Sequence, residues 1–279
     1  MVHPMRVTSI LLLGLAAASA TAGAQEPTGL AAAALADTAV HWVPRYIPGF
    51  RAYFLADTYP ARHQDSLLAR LPPAAAHARR LIGAQPLGAP IDVFFVETRE
   101  QLARLTGRRA TGFAEPAARA VFLVTNPEWR AFERHEIMHV IAGQAWGPAA
   151  PEAAWLQEGL AQAADGYCAG HPNAEVLLAL TARHGWLALD TLLTDFRRLP
   201  DLRAYLQAAA FVAYLLPRVG APALRTLWTR PATAASVVDH ESLGALAERW
   251  RAGLHGTWHP GPQLLAHLEA TGCGSPPAA

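Results

Sequence analysis

Lysine is missing altogether. All 23 basic side chains other than histidine are arginine, set against 22 acidic ones for a formal net charge of +1. Charged residues make up only 16% of the chain, so it carries no electrostatic footprint for nucleic acid or an anionic lipid surface. The pairs Arg79-Arg80, Arg108-Arg109 and Arg197-Arg198 are scattered, each is followed by apolar sequence, and they read as solvated faces. The arginine and alanine bias itself carries no functional weight. Cysteine is nearly absent as well, with Cys168 and Cys273 alone. A long apolar run is also lacking: Ile10 to Ala18 falls short of the roughly 20 residues that cross a bilayer, which argues against a permanent anchor.

That short run has another use. Arg6 precedes it and Ala22-Gly23-Ala24 follows with the small-x-small pattern of a signal peptidase site. Residues 1–24 are therefore expected to be a signal peptide cleaved before Gln25, and the mature chain to be periplasmic or secreted. No cysteine lies near the cleavage site to take a lipid. In an oxidising compartment Cys168 and Cys273 are expected to form one disulfide, with two free buried thiols as the alternative. The remaining length suffices for one large domain or two small ones.

Residues 25–48 are rich in Ala and Pro and read as a loosely ordered lead-in. Arg51 to Leu55 reads as a strand, and Ala61 to Ile82 as helix broken by Pro72-Pro73. Ile91 to Val96 is a buried strand by its β-branched and aromatic content. Thr98 with Gln101 forms a capping box that opens a helix through Leu102 and Leu105. Thr111 to Ala114 and Ala120 to Val124 read as a hairpin or edge pair. Asn126, followed by Pro127 and Glu128, predicts a helix running to about Gly143. Beyond it the periodic segments are all helical: Pro151 to Tyr167, Ala174 to His184, Asp201 to Arg218, Ala221 to Thr229, Ser242 to Leu254 and Pro262 to Leu268. The fold class is α+β, a small N-terminal mixed sheet with helices followed by an all-helical C-terminal half.

His135-Glu136-Ile137-Met138-His139 fits H-E-x-x-H on a predicted helix. Positions four apart lie one turn apart on one face, so both imidazoles reach a single cation. Glu136, rotated from that axis, stays close enough to take a proton from a water on the metal. Zinc suits three N/O ligands and an open position. A third ligand is offered by Glu158 in Trp155-Leu156-Gln157-Glu158-Gly159-Leu160-Ala161, with eighteen residues between it and His139. It sits on a second predicted helix that the Gly/Pro-rich stretch Gly143 to Pro151 brings back antiparallel.

With His135, Glu136, His139, Trp155, Leu156, Glu158, Gly159, Leu160 and Ala161 all in place, the chain resembles the gluzincin metallopeptidases, in particular the aminopeptidase N-like family and the smaller peptidase-MA-like domains. The resemblance implies a thermolysin-like catalytic domain over residues 49–272 with a tail over 273–279. It further implies one Zn2+ held by His135, His139 and Glu158, Glu136 as general base, and a peptide or protein substrate. Tyr205, in Tyr-x-x-Ala-x-x-Phe, corresponds to a tyrosine that stabilises the oxyanion in the aminopeptidase-like relatives. Ala208 stands where they carry Gly, and the alternative is a tyrosine that only packs beside Leu206 and Phe211. Tyr167 and His171 are lesser candidates for that role. Gly112, Phe113, Ala114 and Glu115 lie where relatives place the edge strand that pairs with substrate, and Glu115 where they place a carboxylate for the substrate amine; Ala114 and Pro116 depart from that motif.

Gln162 and Asp165 are the nearest polar positions to support the ligand rings. His171, His184, His240, His255 and His259 have no partner at ligand spacing and read as surface or satisfied core residues. Two functions stay open: zinc-dependent peptide hydrolysis, and a non-catalytic zinc-binding or peptide-binding scaffold of the cell envelope. Glu136 favours the first, because a scaffold needs ligands but no base. A structural zinc site fits poorly, since such sites fill all four positions with Cys and His.

Overall fold

The computed structural model describes residues 26–274, so the signal-peptide expectation and most of the C-terminal tail lie outside the described residues. In chain order the elements are α1 (Gly29–Ala36), β1 (Trp42–Ile47), β2 (Phe50–Leu55), α2 (Tyr59–Arg62), α3 (Gln64–Leu68), α4 (Leu71–Ile82), β3 (Ile91–Val96) and α5 (Arg99–Thr106). Next come β4 (Gly112–Glu115), β5 (Ala120–Val124), α6 (Glu133–Trp146), α7 (Ala154–Asp165), β6 (Tyr167–Cys168), β7 (His171–Pro172), α8 (Asn173–His184) and α9 (Leu189–Thr194). The chain closes with α10 (Asp201–Trp228), β8 (Val237–Val238), β9 (Glu241–Ser242), α11 (Leu243–Gly253) and α12 (Pro262–Thr271). This is a mixed α+β fold, with a small sheet followed by helices broken only by two-residue hairpins.

The sheet has the order β1-β2-β3-β5-β4. Its centre, β2-β3-β5, is parallel, and β1 and β4 are antiparallel edges. The core strand β3 is buried along its whole length, as its β-branched and aromatic content predicts for a strand covered on both faces. Its one charge, Asp92, lies opposite Arg51 in the register and takes two hydrogen bonds from that guanidinium at 2.6 and 2.7 Å. Burial raises the Asp92 pKa even so, against the pull of Arg51.

Three expectations change. The lead-in is not loose: it supplies α1 and the edge strand β1, tied together by Trp42 Nε1 donating to the Ala34 carbonyl at 2.9 Å. Pro72 and Pro73 do not break a helix from within. They occupy the first turn of α4, where a missing N–H has no bond to lose. The helix expected from Asn126 begins at Glu133 instead. The Asn126 side chain caps a turn, accepting from the N–H groups of Glu128 and Trp129 at 2.8 and 2.9 Å, and it donates to the Glu97 carbonyl at 2.8 Å. Capping chemistry is the same for a turn and a helix; here Trp129 is also held under the Arg99 guanidinium, 4.1 Å from the ring centroid.

The predicted break after Arg218 is present as a kink in α10, where Gly220 leaves helical geometry at φ 77° between Pro217 and Pro222. Cys168 and Cys273 form the expected disulfide, which joins the β6-β7 hairpin to the end of α12. Among the described residues no helix is long and apolar enough to cross a membrane.

Each sheet face carries its own core. Val93, Phe95, Val121 and Leu123 point toward the helical half and pack with Ile137, Met138, Val140 and Ile141 of α6. Tyr53, Phe94, Val96, Phe122 and Val124 point the other way, under Ala31 and Ala34 of α1 and Leu102 of α5.

Candidate metal centre

α6 enters the core almost entirely buried, and its interior positions include His135 and Glu136, 8% and 7% exposed. Such groups are stable inside only with partners. His135 and His139 stand one turn apart, Nε2 to Nε2 at 3.2 Å. Oε2 of Glu158, from α7, lies 3.4 Å from His135 Nε2 and 3.3 Å from His139 Nε2. Three donor atoms thus form a nearly equilateral triangle, and this is the only group of three or more His, Cys, Asp or Glu among the described residues arranged to hold a metal ion.

The size of that triangle tests the fit. Tetrahedral zinc with bonds of about 2.0–2.1 Å separates its ligand atoms by roughly 3.3–3.4 Å, and the three edges are 3.2, 3.3 and 3.4 Å. The donor set of two imidazoles and one carboxylate leaves room for a fourth ligand, as open sites require. With no cation, the two ring nitrogens confront each other and a single carboxylate oxygen, and one proton cannot serve all three contacts.

The electrostatics agree. Burial alone would lower the His135 pKa, but the hydrogen bond to Glu158 and the charges of Glu136, Glu158 and Asp165 outweigh it and lift it to about 8. Burial would raise Glu158, yet the His139 charge, the hydrogen bonds from both imidazoles and the His135 charge hold it well below the usual carboxylate range. It is an anion waiting for positive charge. Glu136 is the opposite case: burial raises it, and although both histidines pull it down, Glu158 and Asp165 push it up. The two carboxylates nearest the imidazoles are thus driven in opposite directions, Glu158 down and Glu136 up.

Neighbouring elements close in on the centre through glycine. Gly112 of β4 lies directly on the Glu136 carboxylate, and a Cβ there would overlap Oε1. Along the same helix the Gln144 side chain donates to the Pro116 carbonyl at 2.7 Å, so α6 holds both ends of this edge strand. Gly159, next to Glu158, lets α10 approach α7: a Cβ there would stand 2.9 Å from the Ala208 carbonyl oxygen. That contact seats Tyr205, one turn before Ala208, with its ring stacked toward His135 at 6.2 Å and tilted 17°. Phe196 backs it at 5.4 Å. Burial, then the charges of Glu158, Asp201 and Glu136, raise the Tyr205 pKa against the pull of Arg197, so the phenol keeps its proton.

Other expected positions lie elsewhere. Gln162 donates to the Asn173 side chain at 3.0 Å and to the Tyr167 carbonyl at 3.3 Å, fixing the start of α8. Asp165 takes a two-pronged salt bridge from Arg130. Tyr167 is half exposed, and His171 stacks on Trp258 at 4.2 Å, so neither joins the centre. His184 pairs with Glu269. Glu115 accepts a hydrogen bond from Leu30 N–H at 2.8 Å. Sequence reasoning missed the contacts of Gly112 with Glu136 and of Gly159 with α10, whose sole trace was a small residue beside a chemically active one. Compared with protein-family models, curated proteins and solved structures, the chain matches none.

Proposed function

We propose that the protein is an exported zinc-dependent peptidase with a thermolysin-like catalytic core, in which His135, His139 and Glu158 hold the metal. The observation that carries this reading is the triangle of donor atoms with the edge lengths of a zinc site, beside a buried carboxylate that ligates nothing. The disulfide, the order of strand, helix, edge strand and paired helices, and the resemblance of the motif residues to gluzincins support it. When bound, zinc would polarise both a water and the peptide carbonyl.

The chain's own side chains do the rest. Glu136 takes a proton from the water as its oxygen attacks the carbonyl carbon, then delivers that proton to the departing amide nitrogen as the C–N bond breaks. The Tyr205 hydroxyl, kept protonated, donates a hydrogen bond to the carbonyl oxygen as it gains negative charge. The products are a carboxylic acid and an amine, the acid's proton then passing to the amine to leave a carboxylate and an ammonium, and Glu136 ends as it began. The substrate is a peptide or protein; a nucleic acid has no basic surface to meet.

The test is metal analysis and peptide digestion with purified mature protein and its Glu136→Gln variant. Wild type is expected to hold one zinc and cleave members of a broad peptide library. Glu136→Gln should keep the zinc and lose activity by roughly 10²–10⁴-fold. A wild type that holds zinc and cleaves nothing across the library would replace this reading with a zinc-binding scaffold of the cell envelope; one that holds no zinc would remove both.

A further inference from the structure

The edge strand also bears on which peptides the site takes, an inference that rests on the peptidase reading above. Val124 N–H donates to the Thr111 carbonyl at 2.9 Å, and the register pairs Gly112 with Leu123 and Ala114 with Val121. Bonded and non-bonded pairs alternate in an antiparallel ladder. Thr111, Phe113 and Glu115 therefore turn their main-chain groups toward β5, and Gly112 and Ala114 turn theirs to the open edge.

Side chains alternate between the two faces as well. Gly112 lies on Glu136, and Ala114 packs with the core that carries α6. Phe113 belongs to the opposite core, beside Phe122. Glu115, two residues on, shares the face of Phe113, away from the metal centre. There its carboxylate is bonded to Leu30 N–H at the start of α1, and it packs so tightly on Gly29, at φ 59°, that a Cβ would come within 2.5 Å of Oε1.

An enzyme that trims from a free N-terminus must offset the desolvation of an ammonium with a fixed, buried anion. Glu115 is the only acidic residue of β4, and it is both turned away and engaged. Glu136 and Glu158 belong to the centre. Asp201, the other carboxylate acting on Tyr205, is exposed, where a lone ion pair contributes little. We propose that the site does not recognise a free substrate amine and cleaves internal bonds of an extended chain, which adds itself as a strand beside Gly112 and Ala114.

Two peptides of one sequence, one free and one acetylated at its N-terminus, are titrated into zinc-loaded Glu136→Gln protein and digested by wild type, with products read by mass spectrometry. The expected result is affinities within about twofold of each other and internal fragments from both. An acetylated peptide that binds roughly tenfold or more weakly, or stepwise loss of single N-terminal residues, overturns the proposal while leaving the peptidase reading intact. If neither peptide binds nor is cleaved, the peptidase reading fails and takes the proposal with it. A readout that needs neither metal nor substrate is hydrogen exchange at the Leu30 amide: Glu115→Ala is expected to speed it roughly fivefold. Unchanged exchange would mean that the carboxylate does not hold α1, which also overturns the proposal.

Discussion

On one face of the sheet, Phe94 lies between Tyr53 and Phe122, with ring centroids 4.8 and 4.7 Å away, closed over by α1 and α5. On the other, Val93, Phe95, Val121 and Leu123 carry α6, whose own buried residues include His135 and Glu136. Both faces exclude water, but they treat charge differently. Behind the sheet two acidic side chains have partners: Asp92 has Arg51, and Glu115 has the first turn of α1. In front, two imidazoles and a carboxylate converge on one point and have only each other. A paired buried charge is compatible with a finished structure, whereas three converging donor atoms make a group that could hold a metal ion.

The change that presses hardest on this contrast is Glu158→Ala. It removes the anion from the triangle, and zinc should no longer copurify with the protein. Metal present at a thousandfold over its dissociation constant adds about 4 kcal/mol to the stability of the folded state. Adding zinc to metal-free wild type should therefore raise Tm by several degrees and leave Glu158→Ala unmoved. Thermal melts with and without zinc check this, and a variant that still responds to zinc would mean the metal binds elsewhere.

The same two faces explain what could be read beforehand. Ile91–Val96 and the Thr98–Gln101 capping box were legible because their signals are local: a β-branched and aromatic run, and a side chain bonding three residues away. The three side chains that could hold a metal ion were legible because two share one helix turn and the third sits in a recognisable motif. β1 was not. It contains Pro44, three of its six residues are exposed, and it exists only through its register with β2. Asn126 misled because its cap serves a turn locked by Glu97 and Trp129. The side of β4 that Glu115 faces depends on a strand register and on a helix more than eighty residues earlier in the chain, and no local pattern reports either.

Behind the sheet the expected effect is on stability alone. Phe94 is fully buried and takes part in three ring contacts. Phe94→Ala should cost about 3–5 kcal/mol, measured by urea unfolding, with zinc content unchanged. Lost zinc in a variant that still folds would show that the aromatic stack positions α6, and the contrast between the faces would be weaker than drawn. The disulfide joins the β6-β7 hairpin to the end of α12. Cys168→Ser should remove roughly 2–4 kcal/mol and free the end of α12, which limited proteolysis would register as a new cleavage near the C-terminus.

The smallest change is the sharpest probe of separation. Thr98 Oγ1 accepts from Gln101 N–H at 3.2 Å, and Gln101 Oε1 answers by accepting from Thr98 and Glu97 N–H at 3.0 and 2.7 Å. This box starts α5 directly after β3, the strand whose opposite side supports α6. Thr98→Ala should lower stability by about 1 kcal/mol, seen as a small shift in urea midpoint. The half of the box that Gln101 makes to the two main-chain N–H groups survives the substitution, so β3 should keep its register and zinc affinity should stay as in wild type. A drop in zinc affinity from this half-buried cap would mean that strain in α5 passes through β3 to the histidines, and that the two cores respond as one.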